Sequence, residues 1–408
     1  MPLRARPIAT TETRGGANSD GNLRWRWQWR WTLLRKDTRE ATMAERIAIA
    51  MSGGVDSSVS AHLLTQQGYE GVGISMVIWP ESRCCNTEAM RDASDVAAQV
   101  GIPFHRFNFV ETFKQKVVDH FTNSYLAGFT PNPCAICNSD FKFLELFEMA
   151  QEKFGCDRVA TGHYARVRFD EASGRYQLLR AVDPNKDQTY MLYGLTQDQL
   201  ARCIFPLGAM NKTEVRAIAK ELGFTVADKP ESQDLCFSED PQGFLREQVG
   251  DRIRPGNIVD AHGKVLGQHQ GVVNYTIGQR RGLGIAASEP LYVIRIDAEQ
   301  ALVVVGPKEA TLGTQLVVEA INWISIAAPT EPMTCEVKIR YRSEPAPAIV
   351  EPLEGGGYLV RFFTPQAAIT PGQVAAFYDG DVMLAGGIIS KNTPSEPVAS
   401  RQDAPAAV

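Results

Sequence analysis

A short apolar run, Arg46-Ile47-Ala48-Ile49-Ala50-Met51, breaks off at Ser52-Gly53-Gly54-Val55-Asp56-Ser57-Ser58, and a helical pattern follows to about Gln67. A run of this length and texture is that of a buried strand. A strand that leads through glycines straight into a helix is the opening of a parallel, doubly wound α/β sheet. The glycines let the backbone turn tightly and approach a ligand. The helix behind them offers free N–H groups and the positive end of its dipole, which suits phosphate. Ser57 and Ser58 can add hydroxyl donors. No lysine follows the glycines, so this is not a Walker A loop. A lone Gly-Gly would mark an ordinary strand–helix turn; the whole string in this position is more specific.

The alternation continues. Residues 69–78 read as a strand, 88–100 as a helix stopped by Gly101 and Pro103, 104–110 as a strand and 113–126 as a helix. Residues 129–138 read as a loop bearing prolines and cysteines, 141–154 as a helix, and 158–161 as a strand running into Gly162-His163-Tyr164. These elements predict an α/β domain over 44–208. A smaller unit over 209–285 opens with a helix at 211–222 and carries Cys236 in a polar loop. From 286 to 393 the texture is all-β, with short runs at 291–296, 301–305, 335–341, 348–350, 358–363 and 374–377, which predicts a small β-barrel. Residues 394–408 read as a tail.

Composition closes off other classes. The 408 residues are 44% hydrophobic and 22% charged, those of a globular protein of two or three domains and not of a disordered or collagen-like chain. No apolar run reaches the ~18–20 residues of a membrane helix. Eight cysteines are too sparse for a disulfide scaffold, and no apolar h-region marks a secretory signal, so the expected compartment is the reducing cytoplasm. The net charge of −5 does not advertise a nucleic-acid partner. Residues 1–42 hold nine Lys/Arg against four Asp/Glu, so the rest of the chain carries the acidic excess and any surface for a polyanion is a local patch. The leading segment, 1–43, contains Trp25-Arg26-Trp27-Gln28-Trp29-Arg30-Trp31, which admits an RNA- or membrane-surface arm or an Arg-rich targeting peptide. Met43, directly before the first strand, favours a disordered or artefactual extension.

Thr130-Pro131-Asn132-Pro133-Cys134-Ala135-Ile136-Cys137-Asn138 places two thiols in a proline-stiffened loop ahead of a helix, where a helix N-terminus lowers a thiol pKa. A redox dithiol or half of a structural zinc site fits the same spacing. Zinc needs four ligands, and Cys84-Cys85 is a poor second pair because adjacent cysteines chelate badly. Cys236 lies in Glu231-Ser232-Gln233-Asp234-Leu235-Cys236-Phe237, too polar for a simple core thiol, whereas Cys156, Cys203 and Cys335 have apolar or strand-like surroundings and read as core fillers. Arg280, Arg281, Lys338, Arg340 and Arg342, basic residues in an acidic body, read as phosphate contacts rather than a solvated face.

The string at 52–58 resembles the pyrophosphatase-type phosphate loop of enzymes that split ATP into AMP and pyrophosphate. Together with the strings at 50–59, 130–138, 160–165, 185–192, 231–237, 275–284, 338–342 and 370–378, in that order, the chain over about 44–392 is similar to the tRNA-specific 2-thiouridylases, which thiolate the wobble uridine of certain tRNAs. The resemblance implies an ATP-binding α/β domain, a small central α+β domain and a C-terminal β-barrel that contacts tRNA. It implies ATP and Mg2+, with Ala50, Met51, Ser52, Gly53, Gly54, Val55, Asp56, Ser57, Met76 and Gly162 around the nucleotide. By position, Cys137 matches the family's nucleophile and Cys236 its persulfide-bearing cysteine. Asn132, Pro133 and Cys134 lie where the target base is held. His163, Lys186, Asp187, Gln188, Arg340, Tyr341 and Gln373 match tRNA contacts. Cys134 stands where many members carry Asp, which removes a carboxylate from that position.

The implied chemistry joins these parts. A uridine carbonyl oxygen is a very poor leaving group, and adenylation turns it into AMP. A persulfide on Cys236, loaded by an upstream sulfur-donor protein, then supplies sulfur. Cys137 either attacks that persulfide to liberate hydrosulfide or ends in a disulfide with Cys236. An iron–sulfur cluster held by Cys134, Cys137 and Cys236 is the competing arrangement for the three thiols. An amidating synthetase or carbamoyl-substrate ligase shares the loop but has no need of cysteines split between two segments. An RNA- or metal-binding module with a vestigial ATP site is at odds with the intact string at 52–58.

Overall fold

The computed structural model describes residues 44–79, 86–230 and 235–392. The segment 1–43, Cys84 and Cys85, the first part of the 231–237 string and the 394–408 tail lie outside the described residues.

In chain order the first domain runs β1 (Arg46–Ala50), α1 (Val55–Gln66), β2 (Glu70–Val77), α2 (Thr87–Val100), β3 (Phe104–Asn108), α3 (110–126), α4 (133–154), β4 (Arg158–Ala160), a hairpin of β5 (Ala165–Asp170) and β6 (Arg175–Arg180), α5 (Gln197–Arg202), β7 (Cys203–Ile204) and α6 (Lys212–Glu221). Its sheet has the order β3-β2-β1-β4-β7, and every pairing is parallel. Ile47, Ala48 and Ile49 are all buried, which is why β1 reads as an unbroken apolar run. Strand order reverses between β1 and β4, so the ends of these two strands flank the crevice where such sheets take ligands. The loop at 52–58 leaves β1 there, and Gly162-His163 leaves β4.

Local signals set most helix ends. The Asn86 side chain accepts from Ala89 N at 2.8 Å to start α2, and Gly101 ends it at φ 80°. Asn211 and Glu214 form a capping box at the start of α6. Helices α3 and α4 each contain a π-type stretch, Lys114–Val118 and Cys137–Lys142. Such turns are frequent at functional sites. Helix α6, expected to open the central unit, packs along α1 instead, and Gln99 Nε2 of α2 bonds the Leu222 carbonyl at 2.7 Å. The first domain therefore extends past residue 208.

The central domain holds α7 (Pro241–Val249), β8 (Gly256–Val259), β9 (Val265–His269), β10 (Tyr292–Asp297) and β11 (Leu302–Gly306), with sheet order β10-β11-β8-β9. Strands β10 and β11 were expected in the barrel from residue 286. They belong here because β11 runs parallel to β8, Leu302 opposite Asn257. The texture of a strand marks it as a strand but does not name its partner.

The barrel proper comprises β12 (Leu312–Trp323), β13 (Met333–Lys338), β14 (Ala346–Pro352), β15 (Tyr358–Ala367), β16 (Val374–Asp379) and β17 (Val382–Ile389). Its order is β12-β15-β14-β13-β16-β17, and β12 pairs with β17 to close the ring of six. The hairpin β5–β6 was not expected. Strand β6 pairs with β17, Leu179 opposite Val382, so an arm of the first domain extends the barrel sheet. One hydrophobic core runs across this seam, from Ala48, Val72 and Tyr190 to Val374, Tyr378 and Met383. Among the described residues no helix is long and apolar enough to cross a membrane.

Candidate active site

The phosphate loop is braced by its own hydrogen bonds. Gly53 takes φ +73°, and a Cβ there would lie 2.0 Å from the Ala89 carbonyl oxygen, so only glycine fits beneath the start of α2. Gly54 is the N-cap of α1 and brings no side chain to cap its N–H groups. Ser57 Oγ accepts from Ser52 N at 3.2 Å and donates to Gly54 O at 3.1 Å; Ser58 Oγ donates to the same carbonyl at 3.0 Å. Both serines are buried, and their hydroxyls brace the turn of the loop. A Cβ on Gly162 would come within 2.9 Å of Ser57 N, which puts the end of β4 directly against the first turn of α1. Ala50 is half-buried, while Met51 and Val55 are buried and anchor the loop to the sheet, Met51 N donating to Ile74 O at 2.8 Å.

Asp56 is the acidic group of this loop, with 31% of its side chain exposed. Lys212 Nζ lies 2.7 Å from each of its oxygens, and Tyr164 OH donates to Oδ1 at 2.8 Å. Lys212 is the first residue of α6, and its side chain is 9% exposed.

The cysteine segment is helical, not a loop. Asn132 caps α4 by accepting from Ala135 N at 3.1 Å, and Pro133 takes the first helical position. Cys134 and Cys137 thus sit in the first turns of α4. Cys137 opens the π-type stretch and is 8% exposed, inside a cluster with Phe113, Phe121, Phe141 and Phe237. Cys236 packs against that same cluster. Phe237 brings it there, with ring centroids 5.9 Å from Phe113 and 5.6 Å from Phe121. Met76, near the end of β2, packs on this cluster and on the main core alike, linking the sheet edge to both thiols.

Burial holds the remaining thiols in their protonated form to differing degrees. Burial pushes the Cys134 thiol up, with Lys142 opposing, although the residue is exposed at its surface. The lowered pKa expected of a helix start is therefore not found at this thiol: lost hydration outweighs the favourable end of the helix. Cys156, Cys203 and Cys335 are buried, and burial pushes Cys335 up to about 12. Among the described residues no group of three or more His, Cys, Asp or Glu could hold a metal ion. Cys134, Cys137 and Cys236 as placed do not fit an iron–sulfur cluster. Asp56 fits Mg2+ better, since that ion is commonly held by one or two carboxylates plus substrate phosphates.

Four segments meet where the first domain joins the barrel. Gln373 Nε2 donates to Thr130 O at 2.7 Å, and Thr130 N donates to Pro371 O at 2.9 Å. Tyr190 OH donates to Val374 O at 2.9 Å, and its ring lies 6.0 Å from that of Tyr341. Lys338 Nζ lies 5.8 Å from the Tyr341 ring, and Arg340 Nη2 donates to Ala367 O at 2.7 Å. Lys186 is half-buried, and Arg280, Arg281 and Arg342 are exposed.

Three of the expected RNA contacts are structural in part. Asp187 is 7% exposed and accepts from Ala181 N and from the Thr189 hydroxyl. Gln188 Oε1 accepts from Tyr164 N at 2.9 Å. His163 Nδ1 hydrogen-bonds Thr161 Oγ1 at 2.7 Å, and the ring sits between Phe143 and Phe205. Burial, with Lys142 nearby, lowers its pKa well below the usual histidine value, which favours the neutral ring.

The sequence matches the tRNA methyl transferase HUP domain family over residues 45–240, the tRNA methyl transferase PRC-barrel domain over 242–307 and the aminomethyltransferase beta-barrel domain over 313–389. It is 50% identical over 349 residues to the tRNA-specific 2-thiouridylase MnmA of Nostoc punctiforme, covering 85% of this chain and 99% of that protein. The chain belongs to the tRNA-specific 2-thiouridylase family. A second relative, the tRNA-specific 2-thiouridylase MnmA of Heliobacterium modesticaldum, is 47% identical over 361 residues, covering 86% of this chain and 94% of that one. Among solved structures, the U34-tRNA thiolase NcsA from Methanococcus maripaludis with its [4Fe-4S] cluster matches with TM-score 0.31 and 21% identity, over 50% of this chain and 62% of that one, a likeness too distant to carry the cluster across.

Two residues of this 2-thiouridylase family member escape sequence reasoning. Lys212 and Tyr164 hold Asp56 from 156 and 108 positions away. Nothing local marks either residue as a partner of Asp56, because the pairing is made across the fold.

Proposed function

We propose that this protein thiolates the wobble uridine of tRNA to 2-thiouridine at the expense of ATP, as a tRNA-uridine 2-sulfurtransferase of the cytoplasm. The observation that carries the reading is the placement of Cys137 and Cys236 in one aromatic cluster that Met76 joins to the ligand-binding edge of the sheet. Adenylation and sulfur transfer need neighbouring sites, and this shared packing supports the reading.

In the proposed cycle the N–H groups opening α1 hold the phosphates, and the uridine 2-oxygen attacks the α-phosphorus, expelling pyrophosphate. Mg2+, when bound at Asp56, would supply charge neutralisation to the phosphates. Asn132, Pro133 and Cys134 frame the base at the start of α4, while Lys186, Arg340, Tyr341 and Gln373 line the seam toward the tRNA backbone. Cys236 receives a persulfide from a donor protein. Its outer sulfur replaces the adenylated oxygen and AMP leaves, with Cys137 accepting the bond to Cys236 or releasing hydrosulfide from it. Phe237 packs in the cluster that buries Cys137, with the partly exposed Cys236 against its edge, where a donor protein can reach it.

The test is direct. Purified protein, ATP, Mg2+, unmodified tRNA and a persulfide donor should yield 2-thiouridine by nucleoside mass spectrometry, with one pyrophosphate per thiolated tRNA. Pyrophosphate release without thiolated product, at every donor tried, would overturn the sulfurtransferase reading.

A further inference from the structure

Ser52–Ser58 contains no Lys or Arg, yet a bound triphosphate places several negative charges against the Asp56 carboxylate. The cation nearest that carboxylate comes from another helix. Asp56 lies in the first turn of α1, Lys212 is the first residue of α6, and the two helices pack together. The Lys212–Asp56 pair therefore joins the first turns of the two helices, the ends at which a helix dipole favours an anion. The lysine is fixed at its root: its backbone N donates to Asp183 Oδ2 at 3.0 Å. Its ammonium stands 2.7 Å from both Asp56 oxygens. The flexible stem of a lysine lets that ammonium pass from a carboxylate to an adjacent phosphate oxygen without moving the helix.

Resting on the adenylating reading above, we propose that Lys212 is a catalytic residue that binds the ATP phosphates and offsets charge on the leaving pyrophosphate. As the bond from the uracil 2-oxygen to the α-phosphorus forms, the bond from that phosphorus to the bridging oxygen breaks. The electron pair leaves on pyrophosphate and the N3 proton passes to solvent. Lys212 faces the oxygen on which charge develops, a role that preorganised cations fill in phosphoryl and nucleotidyl transfer. Asp183 is its positioning residue. The stretch from Asp183 to Gln188 also grips Tyr164 through Gln188, so the loop bearing Lys186 is bonded to both groups that hold Asp56. RNA and phosphate sites thereby share one frame.

Steady-state pyrophosphate release by the full chain, with ATP, Mg2+ and tRNA, tests the assignment. Lys212→Met should lower kcat by roughly 10²–10³-fold while raising the KM for ATP less than about tenfold. Lys212→Arg, which keeps a cation, should recover at least about a tenth of the wild-type rate. Tyr164→Phe removes the other bond to Asp56 but no charge, and should cost at most about tenfold. An equal fall in Tyr164→Phe and Lys212→Met would mean that both merely hold Asp56, and overturns the proposal. So does a Lys212→Met rate within about threefold of wild type. Loss in Lys212→Arg as deep as in Lys212→Met, with both variants melting at the wild-type temperature and binding tRNA normally, overturns it too. If wild type releases no pyrophosphate with any tRNA, the adenylating reading falls first and this assignment with it.

Discussion

The backbone turn of residues 52–58 is closed by its own hydrogen bonds, with the Asp56 carboxylate as its distant anchor, whereas residues 130–137 are fixed mainly from the barrel. The first segment is folded by bonds within seven residues and by a glycine pressed under α2. The second takes its cap from Asn132, but its approach is fixed by Gln373 and Pro371 of the barrel, 243 residues away in the case of Gln373. The two regions face different tasks. A nucleotide is the same in every cycle and suits a rigid, local cradle. In the proposed cycle a tRNA would be gripped by several domains at once, and the bonds from Thr130 to Gln373 and Pro371 tie the thiol segment to the barrel as that reading needs.

Separating the two regions by mutation sharpens the contrast, and the thiols give the largest expected effect. Cys137→Ser and Cys236→Ser should each cut thiolation by roughly a thousandfold or more while tRNA-dependent pyrophosphate release continues. Cys134→Ser should be the mildest of the three. Loss of pyrophosphate release in the first two would show that the regions are not separable and break the comparison.

Two glycines probe the same division through the backbone. Gly53→Ala forces a Cβ to 2.0 Å from the Ala89 carbonyl oxygen at φ +73°, and should cost about 3 kcal/mol or more in a denaturant titration and abolish ATP binding. Gly372 has φ +91°, and a Cβ there would lie 3.0 Å from Phe129 Cβ and 3.1 Å from Thr130 N. Gly372→Ala should loosen the cysteine segment and slow thiolation by about tenfold with ATP affinity intact. ATP affinity falling equally in both variants would contradict the local character of the phosphate cradle.

Smaller effects lie on the surface. Arg340→Ala and Lys186→Ala should each weaken tRNA binding and flatten its logarithmic salt dependence by about one unit, in a filter-binding series over ionic strength. An unchanged slope in both would move the phosphate contacts to Arg280, Arg281 and Arg342. Deleting residues 1–42 should change turnover and tRNA affinity least of all; a large loss of affinity would make the Trp/Arg string part of the RNA grip.

What could be read in advance follows the same division. The α/β domain was legible because its strand–helix steps carry their own turn chemistry, as at Gly101, Pro103 and the 52–58 string. Pairing was not. Nothing in Tyr292–Asp297 or Leu302–Gly306 states that these strands join β8 rather than the barrel, because their partners are set by contacts distant in sequence. The hairpin Ala165–Asp170/Arg175–Arg180 was missed because its four arginines interrupt the apolar alternation of a half-buried strand. Within the site, Cys137 and Cys236 came from resemblance, and their meeting through Phe237 is a tertiary fact. Asp187 and Gln188 show the converse: a surface-like polar string whose side chains turn inward to build the loop.

The arm that β6 lends to β17 has a practical meaning for anyone dissecting this protein. Gene fragments cut between the first domain and residue 312 would yield a barrel whose Tyr378 and Met383, both fully covered in the intact chain, face water, and whose β17 loses its pairing with Leu178 and Leu179. Unpaired strand edges beside bare apolar surface invite association with other copies. Calorimetry of the whole chain should accordingly give one shared melting event for the nucleotide-binding half and the barrel, and the two halves are better co-expressed than produced apart.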